Sequence, residues 1–195
     1  MKKRLSTLII VLGACLVLLS LFWVVATQVR MHQGVLHSGQ TAAKLAARLP
    51  ERTAGTPGLY PGGNMPVLEL DGRDYVALVE LPAFGITLPV ADVWDSGALS
   101  SCPARFCGSA YETPLVIGGI DHPGQFGFCD TVTHGAAVLV TDMTGARFSY
   151  TVTDVHRAKA AEAQWLADSK YDLTLFCYDA LSMEYLAVRC YLTHS

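Results

Sequence analysis

The residues best suited to chemistry stand near the end of the chain, in the stretch YDLTLFCYDALSMEYLAVRC (171–190). Cys177 lies in the first of two strand-like runs there, and Arg189 lies near the end of the second. A cysteine thiolate is a nucleophile, and a guanidinium can hold an oxyanion through charge-assisted hydrogen bonds. The pair is therefore typical of acyl transfer. The other interpretation is a small buried strand cysteine, with an arginine paired structurally to Asp179 or Glu184.

Acyl transfer also needs an acid that protonates the leaving group, and His122 is the candidate for that role. It stands in the stretch GGIDHPGQFG, just after the strand-like run PLVIGG (114–119). An exposed loop histidine between Asp121 and Pro123, with no catalytic role, is the alternative. The residues themselves leave both roles open.

The cysteines allow a metal site or a disulfide. Beyond residue 30 the chain contains Cys102, Cys107, Cys129, Cys177 and Cys190. Zinc ligation by the first three of these and His122 would have the spacing C-x4-C-x14-H-x6-C, which lacks the close ligand pairs typical of zinc sites. We predict no metal and no other cofactor. In an exported protein, a disulfide from Cys129 to Cys102 or Cys107 is the better interpretation.

The charge distribution and the absence of other motifs exclude several classes of function. Residues 1–30 hold four of the 14 Lys+Arg and none of the 17 Asp+Glu, so the remainder carries 10 − 17 = −7. Without a basic stripe, nucleic acid is excluded as a partner. The chain has neither a G-x-S-x-G elbow for a serine hydrolase nor a glycine loop for phosphate binding.

The elements that would position these residues are mostly strands. Short β-branched or aromatic runs recur, separated by turn residues. The predicted strands are 75–81, 85–90, 114–119, 136–141, 146–155, 172–178 and 184–192. One helical stretch, 158–169, interrupts them. Frequent strands with so little helix predict a mostly β fold, a closed β-barrel with one or two short helices.

The N-terminal segment differs from the rest of the chain. No residue from 5 to 29 is charged, and Lys2, Lys3 and Arg4 precede that run. Its length fits a single transmembrane helix, and the positive-inside rule predicts a cytoplasmic N-terminus with everything after Arg30 outside the cell. A cleavable signal peptide is the alternative, although the run exceeds the usual ~7–15 residues of its apolar region.

These patterns divide the chain into three segments. Residues 1–30 are the basic tip and the transmembrane anchor. Residues 31–73 contain a juxtamembrane helix (38–49) and a Pro/Gly-rich linker (50–66). Residues 74–195 form the β-barrel domain.

The order of the strand segments resembles a known family. YVALVELPAFGITLPV, then FCGSAYETPLVIGG, FSYTVTDV, YDLTLFCY and LAVRC follow one another as in the sortases. Those are membrane-anchored cysteine transpeptidases of Gram-positive bacteria, and the class-B-like branch is the most similar. The resemblance runs from Tyr75 to Cys190. It implies a sortase-like closed β-barrel domain that lies outside a Gram-positive cell and is held there by the N-terminal membrane anchor.

The catalytic histidine and cysteine of that family fall out of register here. Aligned without gaps, Arg189 occupies the arginine position, whereas Ile120 and Tyr178 occupy the histidine and cysteine positions. His122 stands two residues late and could share the face of residue 120, but Cys177 stands one residue early and would face the opposite side. We therefore predict a bulge in the 172–178 strand that turns the Cys177 sulfur into the groove between His122 and Arg189.

Two functions follow from the resemblance. If active, Cys177 would attack a sorting-signal peptide of a surface or pilin protein, and the thioacyl group would pass to an amine of a peptidoglycan precursor or a pilin lysine. His122 would act as the acid and then as the base, and Arg189 would stabilise the oxyanion. The alternative is a catalytically degenerate sortase-like protein that binds a peptide or a partner at the cell surface, with Tyr178 and Ile120 filling the former active site.

Overall fold

The computed structural model describes residues 2–56, 64–112, 114–159, 170–179 and 182–193. Within these residues the chain forms ten strands, two α-helices and one 3-10 turn. In chain order they are α1 Lys2–Ala46, β1 Thr53–Ala54, β2 Leu68–Leu70, β3 Arg73–Leu81, the 3-10 turn Pro82–Phe84, β4 Ile86–Ala91, α2 Ser96–Leu99, β5 Ala104–Cys107, β6 Leu115–Ile120, β7 Ala137–Asp142, β8 Ala146–Lys159, β9 Leu173–Asp179 and β10 Glu184–Leu192.

Strands β3 to β10 close into a barrel. Around the barrel the order is β8-β10-β9-β6-β5-β4-β3, and β7 closes the ring by pairing with both β3 and β8. The pairs β6–β9 and β4–β5 are parallel, and the other pairs in the ring are antiparallel. Strand β1 adds to β8, and β2 adds to β3. The predicted mostly β closed barrel with few short helices is confirmed.

All seven predicted strands are present, and most of their ends lie within two residues of the prediction. The exception is β8, which continues to Lys159 as it pairs with β10. Ala158 and Lys159 therefore belong to a strand and not to the predicted helix 158–169, and the rest of that helix, 160–169, lies outside the described residues. The sequence analysis missed β1, β2, β5 and α2, which are too short to show a periodic pattern.

The barrel interior is filled by alternate residues of its strands. In β9 the inward residues are Leu173, Leu175 and Cys177, and in β10 they include Val188 and Cys190. Successive side chains of a strand point to opposite faces, so the intervening residues point outward. Much of the outer side is also covered, because Val116, Phe176 and Ala187 form a separate buried cluster there.

The N-terminal segment is a single helix, α1, from Lys2 to Ala46. The helix predicted over 38–49 is thus the last part of α1 and ends three residues earlier. In the part of the chain that the structure describes, no helix has the length and apolarity that crossing a membrane requires. The transmembrane anchor over residues 5–29 stays a prediction.

The C-terminal end of α1 packs on the barrel. Ala42 and Leu45 are buried in a cluster with Leu78 and Met143. An exposed ion pair, Lys44 Nζ to Asp71 Oδ2 at 3.0 Å, lies beside that contact. Exposed pairs contribute little, so the apolar cluster holds the helix end in place.

Candidate functional site

Strands β6, β9 and β10 lie side by side and carry all the candidate catalytic positions except His122. Ile120 pairs with Tyr178 at one end of β6–β9. On the other side of β9, Tyr178 pairs with Tyr185, and Thr174 pairs with Arg189. The pairing therefore determines which candidate residues share a face.

Cys177 faces the interior of the barrel. Its side chain is only 1% exposed, and its Sγ donates a hydrogen bond to the Phe126 carbonyl oxygen at 3.8 Å. Along the described strand Leu173–Asp179, the pairing with β6 and β10 runs residue by residue with no register shift. The bulge expected to turn Cys177 outward is therefore absent there, because continuous pairing on both sides leaves no room for an extra residue.

The outward positions at this end of the sheet belong to Tyr178 and Ile120. They are 39% and 40% exposed, respectively. The Tyr178 ring packs against the Tyr185 ring with centroids 5.3 Å apart. The positions that the gapless register assigned to the family's cysteine and histidine are thus held by a tyrosine and an isoleucine, which carry neither a thiol nor an imidazole.

Arg189 lies on the outer side of the sheet but near the other end of β9. Its side chain is buried, its Nη1 donates to Thr174 Oγ1 at 3.0 Å, and its guanidinium carbon lies 5.0 Å from the centre of the Tyr171 ring. Thr174 precedes Tyr178 by four residues, about 13 Å along a strand. The structure therefore does not bring Arg189 together with Cys177, since the two lie on opposite faces.

His122 lies in the turn that follows β6. Its Nδ1 accepts a hydrogen bond from the Gly124 N–H at 3.0 Å, and its carbonyl oxygen accepts from Gln125 and Gly127. Gly127 must be glycine, because a Cβ there would overlap the His122 backbone. With Nδ1 accepting, the neutral ring carries its proton on Nε2. The contacts of His122 thus organise its own turn.

Acidic residues surround this end of the sheet. Burial raises the pKa of Asp121, and the negative charges of Asp179 and Asp130 raise it further. Arg157 and His122 act in the opposite direction. Asp121 and Asp179 directly follow Ile120 and Tyr178 in the chain, and Arg157 Nη1 lies 3.9 Å from Asp179 Oδ2.

An aromatic cluster that the sequence analysis missed covers the outer side of the same strands. The Trp94 ring lies 5.3 Å from Phe106 and 5.4 Å from Phe176, centroid to centroid. Phe176 in turn contacts Tyr185 at 5.9 Å, which links the cluster to Tyr178. We call Trp94, Phe106, Phe176, Tyr178 and Tyr185 the aromatic face.

A glycine in a strand was the signal that could have revealed the aromatic face. A Cβ at Gly118 would overlap the rings of both Trp94 and Phe176. Glycine inside a strand commonly marks the close approach of another group. Here that group is the indole of Trp94, which reaches over β6 from the segment before α2.

The expected disulfides are not formed, because Cys102, Cys107 and Cys129 are free thiols that lie in three different clusters. Cys129 is in the barrel interior, Cys102 is in the cluster beside α1, and Cys107 packs on the outer side. The predicted disulfide between Cys129 and Cys102 or Cys107 is therefore wrong. Among the described residues, no group of three or more His, Cys, Asp and Glu is arranged to hold a metal ion.

Comparison with known proteins identifies the fold. No protein-family model and no curated protein sequence matches the chain. Solved structures do: sortase A from Corynebacterium diphtheriae matches with a TM-score of 0.56 and 17% identity over 85% of each chain. Sortase C1 from Streptococcus agalactiae matches with a TM-score of 0.56 and 18% identity, over 66% of this chain and 72% of that one.

Sortase C-1 from Actinomyces oris matches with a TM-score of 0.55 and 20% identity, over 83% of this chain and 99% of that one. The barrel described above thus has the sortase fold. At such low identities the similarity establishes the fold and leaves the activity to be argued from the site.

Proposed function

We propose that this protein is a catalytically inactive member of the sortase family that binds an extended peptide on the aromatic face. The observation that carries the proposal is the direction of two neighbouring side chains. Cys177 points into the closed barrel with 1% exposure, whereas Tyr178 points outward. A nucleophile must come within ~3–3.5 Å of the carbonyl carbon that it attacks. A thiol inside a packed barrel does not meet that requirement.

The aromatic face supports the binding role. Tyrosine and tryptophan supply large contact areas at low cost in side-chain entropy, and they are enriched at binding hot spots. Trp94, Phe106, Tyr178 and the adjoining Ile120 are all partly open to solvent. An extended peptide laid along β6 and β9 would contact these side chains in succession.

The acidic surroundings indicate what the peptide carries. Burial raises the pKa of Asp121 most, and repulsion from Asp179 and Asp130 raises it further. A lysine or arginine of the ligand would relieve that repulsion, and complementary charge increases both specificity and association rate. We therefore propose a ligand with apolar residues next to a basic residue.

The proposed location is the outer side of a cell membrane, with residues 5–29 as the anchor. The support is the uncharged run itself and the Lys2-Lys3-Arg4 cluster before it. We expect a protease added to intact cells to remove the region from Tyr75 onward, as measured with an antibody against the barrel. Protection of that region in intact cells, with digestion only after lysis, would contradict this topology.

The competing function is transpeptidation through Cys177, His122 and Arg189, with a peptidoglycan or pilin amine as the acceptor. It would require the Cys177 sulfur to leave the core. It would also require the Arg189 guanidinium to stabilise an oxyanion at the other end of β9. The class-B-like assignment also stays a prediction, since the solved structures compared above are sortases of classes A and C.

A binding assay separates the two functions. The full-length protein in detergent is incubated with a displayed library of random short peptides, and with the sorting-signal peptides of surface proteins from the same organism. We expect Tyr178→Ala to weaken binding of the selected peptides about tenfold or more, because it removes a central aromatic contact. Cys177→Ala should leave binding unchanged, and the wild-type protein should cleave no peptide.

Tyr191→Ala is the matched control, because Tyr191 is 38% exposed on β10 but stacks on Tyr171 at the far end of the sheet. It should bind as the wild type does. Cleavage of a sorting-signal peptide that Cys177→Ala abolishes would overturn the proposal and establish the transpeptidase. Equal loss of binding in both tyrosine variants would show that the aromatic face is not the site.

A further inference from the structure

Two cysteines that lie far apart in the sequence meet inside the barrel. Cys177 lies on β9, and Cys129 lies in the turn after β6 and before β7. Both belong to the interior core, where they are 1% and 0% exposed. Neither thiol has a part in the proposed peptide binding.

Both cysteines contact the same backbone atom, the carbonyl oxygen of Phe126. The Cys129 N–H donates to the Phe126 carbonyl oxygen at 3.0 Å, and Cys177 Sγ donates to that same oxygen at 3.8 Å. The shared oxygen therefore brings the Cys177 sulfur close to the Cys129 backbone on the inner side of β9, and both residues are free thiols in the structure. Burial raises the pKa of the Cys129 thiol most, and the nearby Cys177 thiol raises it next.

The remaining cysteines lack such a neighbour in the described part of the chain. Cys102 is in the cluster beside α1, and Cys107 packs on the outer side of the sheet. Cys190 is in the interior, but burial alone raises the pKa of its thiol to about 12. Cys129 and Cys177 are thus the pair that the fold brings together.

We propose that Cys129 and Cys177 form a disulfide that ties the turn after β6 to β9. In this reaction the two thiols lose two protons and two electrons. A thiol–disulfide oxidoreductase of the cell envelope accepts them, and the disulfide of that enzyme becomes two thiols. The exchange proceeds through a mixed disulfide between that enzyme and one of the two cysteines. This inference goes beyond the proposed peptide binding and rests only on the proposed location outside the membrane.

The burial of the pair sets the order of events. Thiol–disulfide exchange needs a thiolate that a partner can reach. A buried thiol with a raised pKa stays protonated and is out of the partner's reach. The cross-link must therefore form before the barrel closes around it. In the folded protein, a reductant should leave it intact unless a denaturant opens the barrel.

Mass spectrometry tests the proposal directly. The full-length protein is isolated without reductant from cells that express it, denatured in the presence of iodoacetamide and digested. We expect one linked peptide that contains Cys129 and Cys177 and is lighter by two hydrogens than the two free peptides. The other cysteines should be alkylated. Reductant without denaturant should leave the linked peptide unchanged, and reductant with denaturant should remove it.

Two variants give matched controls. Cys177→Ala should free Cys129 for alkylation, whereas Cys190→Ala removes a buried thiol of the same strand pair and should leave the linked peptide in place. Since the cross-link closes a loop of 177 − 129 = 48 residues, its loss in Cys177→Ala should lower Tm by roughly 10 °C. Cys190→Ala should lower Tm less.

Complete alkylation of both cysteines in the denatured wild-type protein would overturn the proposal, and so would a link from Cys129 to Cys102 or Cys107. If Cys177→Ala does not fold, the map of the wild-type protein still decides. Failure of the disulfide would leave the peptide-binding result for Tyr178→Ala unaffected, so the two proposals fail separately.

Discussion

The inner and outer faces of β9 differ in the chemistry that they allow. On the inner face, Cys177 sits beside Cys129 and Leu175 in a core closed to solvent. On the outer face, its sequence neighbour Tyr178 joins an exposed aromatic surface bordered by carboxylates. A reactive side chain is useful for catalysis only on the face that the substrate reaches. A shift of one residue along a strand moves a side chain from the face that a ligand can reach to the core.

Thiol reactivity is the sharpest test of this contrast. In the protein refolded under reducing conditions, iodoacetamide should label Cys177 no faster than the barrel opens, whereas the thiol introduced by Tyr178→Cys should react at least about a hundredfold faster. Mass mapping after timed quenching measures both rates in the same sample. Similar rates at the two positions would mean that the inner face is open, and the contrast between the faces would be lost.

Substitutions on the two faces should also differ in how much they lower the free energy of unfolding. Leu175→Ala leaves a cavity in the interior and should lower the free energy of unfolding by about 2–5 kcal/mol. Tyr178→Ala removes a partly exposed ring and should lower it by about 1 kcal/mol or less. Urea unfolding followed by circular dichroism measures both values. A loss of equal size in Tyr178→Ala would indicate that the outer tyrosine is part of the structural core.

The aromatic face should respond to one added methyl group. Gly118→Ala would push the Trp94 and Phe176 rings apart, at a cost of about 1–3 kcal/mol. We expect a red shift of tryptophan emission and weaker peptide binding. Gly39→Ala is the control, because a Cβ at Gly39 meets nothing within 4 Å. An unchanged emission spectrum in Gly118→Ala would mean that Trp94 does not cover β6.

The smallest expected effect concerns the carboxylates beside Tyr178. Because the folded state raises the pKa of Asp121, it binds a proton more readily than the unfolded chain, and ionised Asp121 opposes folding at neutral pH. Asp121→Asn should therefore stabilise the protein at pH 7. Solvent screens this exposed group, so the gain should be about 0.3 kcal/mol or less.

The gain from Asp121→Asn should shrink as the pH falls through the raised pKa toward the usual value of 3.8, where the wild-type carboxyl is also neutral. Thermal unfolding between pH 3 and pH 7 measures it. The exposed Asp154 of β8 provides the control substitution, Asp154→Asn. A destabilising effect of Asp121→Asn at pH 7 would mean that the Asp121 charge is held by a favourable partner.

The strands could be predicted because their pattern is local. In β9 the run from Leu173 to Cys177 is buried at every position, and the strand's period of two assigns Leu173, Leu175 and Cys177 to the interior. The same rule placed Cys177 inward and Tyr178 outward in the gapless register. The predicted bulge is absent because unbroken pairing with β6 and β10 preserves this period along β9.

The sequence by itself therefore determined the seven longer strands and the sortase-like barrel, whereas the predicted outward facing of Cys177 was wrong. Only the tertiary structure decided that Cys129 meets Cys177, that Trp94 covers Gly118, and that Arg189 stacks on Tyr171. The first two contacts join segments that are distant along the chain, and the third depends on the register between β9 and β10. Closure of the barrel and strand pairing set such contacts, and no local periodicity encodes them.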